Sequence, residues 1–406
     1  MTANKANDMS TMRIGNTLLI LRDLYEGGFA SRSDISRSTS LSSSAVTSIT
    51  KELLQKKMIV EKEPDNVSGV GRPRKPLYIN DKDWYVLGVH ISGDQNLKLA
   101  VFNLLLEKVA EREFELESYK PEDVVKKIIS AYSSLKAEIS KKGRCLALGL
   151  SITGIVDRKK GKCYFSEILK WEDVDIKNLF KDKINIPIII ERDVNALALS
   201  EHMIMEKNEV PDSLAVIMVG RGMGLGMIID GQIYSGNLGS AGEISHILSV
   251  DSSYKKKCIC GKSGCISTIL SKKMLIDRIH SLLKKVKIED FDIEKLEEDP
   301  LEYLAQLNVK NDNNLDKDFV ESVSYLLKII TEIYAPEKLI LSSNYNFTVS
   351  KEAEIRRIYN REMTLPQRFI KDIEFKRHSS TEWARGAASV VVHDLLNNYY
   401  LWNYVE

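Results

Sequence analysis

Residues 242–267 read GEISHILSVDSSYKKKCICGKSGCIS. Cys258, Cys260 and Cys265 fall within eight residues, Gly261 and Gly264 lie between them, and His246 stands twelve positions before Cys258. Three sulfurs and one imidazole are the donor set of a tetrahedral structural zinc site. The glycines let so short a loop fold back and aim three thiolates at one point. Four protein ligands close the shell, so no position remains for a catalytic water. The competing reading is a chance set of buried thiols. Against it, three of only five cysteines sit in this one segment.

The chain has 406 residues, enough for two or three domains with their own cores. At 43% hydrophobic and 28% charged residues it reads as a soluble globular protein. The net charge of +1 does not commit the whole molecule to nucleic acid. The charge is uneven, however: residues 1–80 hold 12 Lys and Arg against 8 Asp and Glu. No apolar run has the length to span a bilayer, and MTANKANDMS lacks the apolar core of a signal peptide. An odd cysteine count, mostly in metal-ligand spacing, points to a reducing cytoplasm.

From Arg13 to Tyr25, Ile14, Leu18, Leu21 and Leu24 recur every three or four residues, which predicts an amphipathic helix ended by Gly27 and Gly28. Ser31 with Asp34 predicts a capping box and a second helix over about Arg32–Thr39. Leu41 makes a tight turn, and Ser42 caps a third helix through about Lys56. Its inner face is Val46, Ile49 and Leu53; its outer face is Ser43, Ser44, Thr47, Ser48 and Lys51. Two helices on a short turn, the second studded with small hydroxyls, fit a helix-turn-helix that approaches a major groove closely. Met58–Glu61 and Leu77–Ile79 read as strands flanking DNVSGVGRPRKP, a wing whose Arg72, Arg74 and Lys75 reach phosphate or a minor groove. The bland alternative is a three-helix protein-interaction module, against which the basic wing weighs.

These motifs resemble the ROK family (repressors, open reading frames and sugar kinases). Its signature is Glu-x-Gly-His, a spacer, then Cys-x-Cys-Gly-x-x-Gly-Cys-x-Glu. Glu243, His246, Cys258, Cys260, Gly261, Gly264 and Cys265 match, while Ser245 replaces the Gly and Ser267 the final Glu. RIGNTLLIL, SRSDISRSTSLSSSAVTSITKELLQKKMI and GRPRKPLYI resemble the winged helix of the family's repressors, which its free-standing kinases lack. The resemblance covers essentially the whole chain. It implies an N-terminal winged helix-turn-helix, residues 1–80, and a two-lobed α/β actin-like, ribonuclease-H-like body, residues 81–406, with a ligand cleft between lobes. The pattern agrees: strands at 85–91, 97–105 and 106–116, a helix at 121–141, and strands at 145–152 and 186–193 with a helix from Val194. Beyond these come paired strands at 214–220 and 222–229, helices at 301–307 and 319–334, a strand at 338–344, and a last helix, about Thr381–Asn398, that packs back.

The family's nucleotide elements are altered here. His90 stands where the first phosphate turn has Asp, and Ser92-Gly93-Asp94 replaces Gly-Gly-Thr. Asp94 sets a carboxylate against phosphate. Arg221 replaces the Thr of the second loop, Gly220–Gly226, and Ser342-Ser343 replaces a Gly-Gly. On the sugar side Asp193 matches the catalytic base, while Arg192 replaces its Asn neighbour. Glu243 and His246 match residues that bond sugar hydroxyls. Lost are the Asn of Asn-Leu-x-Trp, here Ile168, and the Glu at Ser267.

The leading expectation is a cytoplasmic transcriptional regulator, a repressor of carbohydrate genes. It binds a palindromic double-stranded operator as a homodimer or homotetramer and holds one structural Zn2+ on His246, Cys258, Cys260 and Cys265. A sugar or sugar derivative near Arg192, Asp193, Glu243 and His246 controls it, with no catalytic residue and no membrane. The alternatives are an ATP-dependent sugar kinase with a DNA-binding head, and a repressor whose pocket binds nothing and which a protein partner controls.

Overall fold

A computed structural model describes residues 9–63, 75–206, 209–249, 256–288, 290–307, 315–364 and 372–405. The chain divides into two compact units. One is Met1–Asp193, Met203–Val210 and Trp383–Glu406; the other is Val194–His202 and Pro211–Glu382.

The first unit begins with three helices, α1 (Met9–Gly27), α2 (Arg32–Thr39) and α3 (Ser43–Gln55), and the antiparallel strands β1 (Ile59–Glu61) and β2 (Leu77–Ile79). α1 starts four residues earlier than its apolar repeat implies and ends at Gly28, which takes the left-handed φ of +73°. Ile20, Leu21, Leu24, Ile35, Val46, Ile49, Leu53 and Met58 form the buried core of this head, while Ile14 is only half-buried. The capping box on Ser31 and Asp34 is present, and Ser42 caps α3 through Ala45 N–H at 3.3 Å. The left-handed residue of the turn between α2 and α3 is Ser40, not Leu41; Leu41 contributes its carbonyl to Ser36 Oγ at 2.6 Å. The linker Asn80–Asp83 is fastened to the end of α3. Asn80 donates to Lys57 O at 2.7 Å, and the Trp84 indole donates to Lys56 O at 3.1 Å.

The body of this unit is a five-stranded sheet built from β3 (Trp84–Ile91), β4 (Asn96–Asn103), β5 (Lys108–Glu115), β6 (Arg144–Ile152) and, further along, β10 (Ile188–Arg192). The order across the sheet is β10-β6-β3-β4-β5, antiparallel in the hairpins and parallel at β6. β3 is buried at every position because both faces are covered. On one face lies α4 (Pro121–Ser140), through Val124, Val125, Ile128 and Leu135. Between β6 and β10 run three short antiparallel strands, β7 (Ile155–Asp157), β8 (Lys162–Ser166) and β9 (Trp171–Asp175), and then α5 (Ile176–Phe180). α6 (Asp193–Met203) follows β10.

The second unit repeats the arrangement. β11 (Ser213–Val219), β12 (Met223–Ile229), β13 (Gln232–Ile233), β14 (Lys338–Ser343) and β15 (Asp372–Arg377) lie in the order β13-β12-β11-β14-β15. Ranked by position in the chain, both sheets read 3-2-1-4-5, with the same alternation of antiparallel and parallel neighbours. The helices between β13 and β15 are α7 (Ser267–Leu270), α8 (Lys272–Lys285), α9 (Ile293–Glu298), α10 (Pro300–Gln306), α11 (Leu315–Tyr334), α12 (Asn346–Ser350) and α13 (Glu352–Glu362). Leu275, Ile279, Phe319, Val323, Leu327 and Tyr359 bury this unit's core against Ala215 and Ile217. The last helix, α14 (Ser380–Asn397), returns to the first sheet. A Cβ at Gly88 or Gly149 would stand 1.8 Å from Ala384 O or Ala387 O, so only glycine lets α14 lie so close.

Candidate functional site

The outward face of α3 is as its spacing implies. Ser43, Ser44, Thr47, Ser48 and Lys51 are exposed, whereas Val46, Ile49, Thr50 and Leu53 are buried. Arg32 Nε donates to Thr50 Oγ1 at 3.2 Å and its Nη2 pairs with Glu61 at 2.7 Å, holding α2, α3 and β1 together. Thr47 Oγ1 donates to Ser43 O at 2.7 Å. Sequence reasoning missed Arg13 of α1, whose Nη1 donates to Ser48 Oγ at 3.3 Å and whose Nη2 pairs with Glu52 at 2.7 Å. No repeat or motif links position 13 to positions 48 and 52; only the crossing of α1 over α3 does. At the base of the wing, Lys75 pairs with Glu63 at 2.9 Å. Arg72 and Arg74 lie outside the described residues.

The second unit gathers the histidine and the three cysteines. Their ligand atoms all lie within 4.8 Å of one another. Cys258 Sγ is 3.5 Å from His246 Nδ1, and Cys260 Sγ is 3.6 Å from Cys265 Sγ. Metal–sulfur bonds of about 2.3 Å and a metal–nitrogen bond of about 2.0 Å give tetrahedral edges of about 3.5 to 3.8 Å, so these spacings fit zinc. Backbone bonds build the site. Ile266 N donates to Ile247 O at 2.8 Å and Ser249 N to Gly264 O at 2.8 Å, tying the histidine segment to the cysteine segment. Gly261 and Gly264 hold φ of +85° and +82°, which turn the loop back on itself. Burial, with the neighbouring sulfurs adding to it, pushes the Cys265 thiol up to about 12. The exposed Cys260 thiol is instead lowered, chiefly by a hydrogen bond from the Lys262 backbone. Ser267 opens α7 with Oγ 3.6 Å from Cys258 Sγ.

The remaining effector candidates divide between the units. Arg192 and Asp193 end β10 and open α6. Arg192 is buried and its N–H donates to Glu191 Oε1 at 2.8 Å. Glu191 in turn meets Arg158, which pairs with Asp394 of α14 at 2.6 Å. Glu243 and His246 are exposed, on and beside the 3-10 turn Ile244–His246.

At the altered nucleotide elements the chain satisfies itself. The turn after β3 gives Gln95 N–H to the Tyr119 hydroxyl at 2.8 Å, and that hydroxyl donates to Ser92 O at 3.0 Å. His90 is buried, stacked on Trp383 with ring centres 5.2 Å apart, and 3.2 Å from Ser151 Oγ. Burial brings its pKa down to about 4, so it is neutral. Arg221 is exposed at the tip of the β11–β12 hairpin, and Gly220 O accepts from the Tyr345 hydroxyl at 3.1 Å. A Cβ at Gly226 would meet Val194 O at 2.2 Å, so this glycine is required by packing of β12 on α6. Ser342 Oγ is 2.6 Å from His378 Nδ1, whose Nε2 is 2.8 Å from Glu201; Ser343 Oγ is 3.0 Å from Thr348 Oγ1.

The family model described as "ROK family" matches residues 86–393. The xylose repressor of Caldicellulosiruptor bescii is 26% identical over 392 residues, covering 94% of this chain and 96% of that protein. Among solved structures, a ROK family transcriptional regulator, a homolog of the E. coli MLC protein, matches with a TM-score of 0.81 at 20% identity, over 97% of this chain and 99% of that one. A ROK family glucokinase from Streptomyces griseus, in complex with glucose and AMPPNP, matches 75% of this chain and 98% of its own, with a TM-score of 0.57 at 20% identity. Two sheets of one topology, the histidine-cysteine loop and a match over three-quarters of the sequence agree: the chain belongs to the ROK family.

Proposed function

We propose that this chain is a DNA-binding transcriptional repressor of carbohydrate genes, controlled by a sugar or sugar derivative, and that it does not phosphorylate sugars. The observation that carries the reading is α3, a helix-turn-helix second helix whose exposed residues are Ser43, Ser44, Thr47, Ser48, Lys51 and Gln55, four of the six small and hydroxyl-bearing. Residues 1–80 are the DNA-binding domain, and Arg72, Arg74 and Lys75 add phosphate or minor-groove contacts. Two-fold symmetry of a dimer matches a palindromic operator. The similarity to a xylose repressor over nearly the full length of both chains supports the reading. So does the glucokinase match, which leaves a quarter of this chain uncovered.

Residues 81–406 are the effector body. His246, Cys258, Cys260 and Cys265 would hold a zinc ion whose contribution is to lock the loop that carries Glu243. Arg192, Asp193, Glu243 and His246 are the candidate effector contacts. Effector control requires that the sugar bind two states of the chain with different affinity. Phosphoryl transfer depends on positioning and charge stabilisation of the phosphates. Where the family resemblance sets those supports this chain has the buried, neutral His90, and Ser342, which is bonded in turn to His378 and Glu201. A coupled assay over a sugar panel with ATP tests this directly: no turnover is expected, and steady turnover refutes the non-enzymatic reading. Titrating neutral sugars, sugar phosphates and sugar acids against the wild type and Arg192→Asn tests the effector site. An anionic derivative is expected to bind more tightly than its neutral parent and to lose that margin in the variant. A neutral sugar that binds best, or no binding at all, counts against it.

A further inference from the structure

Arg13 reaches from α1 onto the outward face of α3 and forks there. Nη1 donates to Ser48 Oγ at 3.3 Å, and Nη2 meets Glu52 Oε2 at 2.7 Å. Ser44, Ser48 and Glu52 are spaced four apart and so form one stripe along the helix. Glu52 is the single carboxylate of α3, and its side chain is 44% exposed. A bare carboxylate on a face turned toward phosphate would repel it; the guanidinium cancels that charge. The bond to Ser48 has a second effect. Its oxygen accepts from Arg13, which leaves the hydroxyl hydrogen to point elsewhere as a donor. Thr47 is the reverse case. Its hydroxyl hydrogen is engaged by Ser43 O, so it offers oxygen lone pairs and a methyl group. Thr47 therefore has no hydrogen left to donate, whereas Ser48 keeps its hydrogen beside one remaining lone pair.

We infer that Arg13 is a positioning residue of the DNA-reading face: it neutralises Glu52 and sets Ser48 as a hydrogen-bond donor, so that Ser48 selects an acceptor edge in the major groove. Acceptor edges there are purine N7, guanine O6 and thymine O4. The inference rests on the reading of α3 as a recognition helix. Arg13 and Glu52 are each about half exposed, so their pair adds little to fold stability and the variants remain folded.

The test selects binding sites from one randomised duplex pool with the full-length wild type, Arg13→Ala, Arg13→Lys, Ser48→Ala and the double variant Arg13→Ala/Glu52→Gln. Each is then titrated against the wild-type motif. Arg13→Ala is expected to bind about tenfold more weakly and to lose discrimination at one base position, the same position that Ser48→Ala relaxes. Arg13→Lys relaxes it too, since an ammonium lacks the planar fork. Adding Glu52→Gln restores affinity without restoring preference, because it removes the naked charge and leaves Ser48 untethered. A merely structural role would not separate the two. The inference is overturned if Arg13→Ala enriches the wild-type motif with unchanged affinity and preference, or if its relaxed position differs from that of Ser48→Ala. A wild type that enriches no motif defeats the DNA reading and this inference with it.

Discussion

His90, which the family resemblance aligns with a phosphate turn, is buried against Trp383 and held neutral. Burial lowers its pKa from the ordinary 6.5 to about 4. Between those values the folded chain binds fewer protons than the unfolded one. Its contribution to stability is therefore full above pH 6.5 and is lost as pH falls toward 4. The loss is on the order of 3 kcal/mol. Urea unfolding near neutrality and near pH 4.5 checks this: His90→Asn should lose visibly less than the wild type over that interval, and parallel losses would refute it. At the cluster of His246 and three cysteines, Cys260→Ser removes one of four candidate donors. Metal analysis of the folded wild type should give one zinc per chain, with the variant clearly below it and several degrees less stable. A metal-free wild type of full stability contradicts the assignment. The gathering of His246 with the three cysteines and the buried and exposed faces of α3 were the most readable, because sequence spacing and helix faces are local. Arg13 was not readable, since its meaning comes from a helix crossing that no spacing encodes.

At the scale of elements, α14 and the first sheet depend on two glycines that face it in register, Gly88 and Gly149. Gly149→Ala would force a methyl group against Ala387 O, and either helix or sheet must move. Overpacking of this kind costs about 1 to 3 kcal/mol or more. Thermal unfolding should show a Tm lower by several degrees, and an unchanged Tm would show that the sheet and α14 are not so closely packed. The long periodic elements were legible: α2, α3, α4, α11, α14 and the buried strands β3, β6, β11 and β14 lie within a few residues of their sequence readings. The three strands β7, β8 and β9 were not, because IVD and WEDVD are too short and too polar to carry a period. β15 escaped for a similar reason, as DIEFKR holds only two apolar residues. Family resemblance implied the two-lobed α/β body, but the 3-2-1-4-5 order of the sheets was not read from the sequence. Parallel pairing of β6 with β3 and of β14 with β11 joins segments far apart in the chain, and nothing local specifies it.

The chain joins an N-terminal head of three helices and a two-stranded sheet to a body with the ROK fold, and among the described residues no helix is long and apolar enough to cross a membrane. The head is fastened to the first sheet's unit through Asn80, Asp83 and Trp84, so it is not a loosely tethered module. The central claim is that the exposed hydroxyl face of α3 reads DNA. The most direct measurement is fluorescence anisotropy of a duplex selected by the full-length wild type, repeated with Ser44→Ala/Thr47→Ala and over a salt series. The account predicts saturable binding to an inverted-repeat duplex with half-sites about ten base pairs apart. It predicts a steep salt dependence and a loss of preference over unrelated DNA in the double variant, at unchanged thermal stability. Equal binding of the selected and unrelated duplexes by the wild type, or a double variant that keeps the full preference, would contradict it.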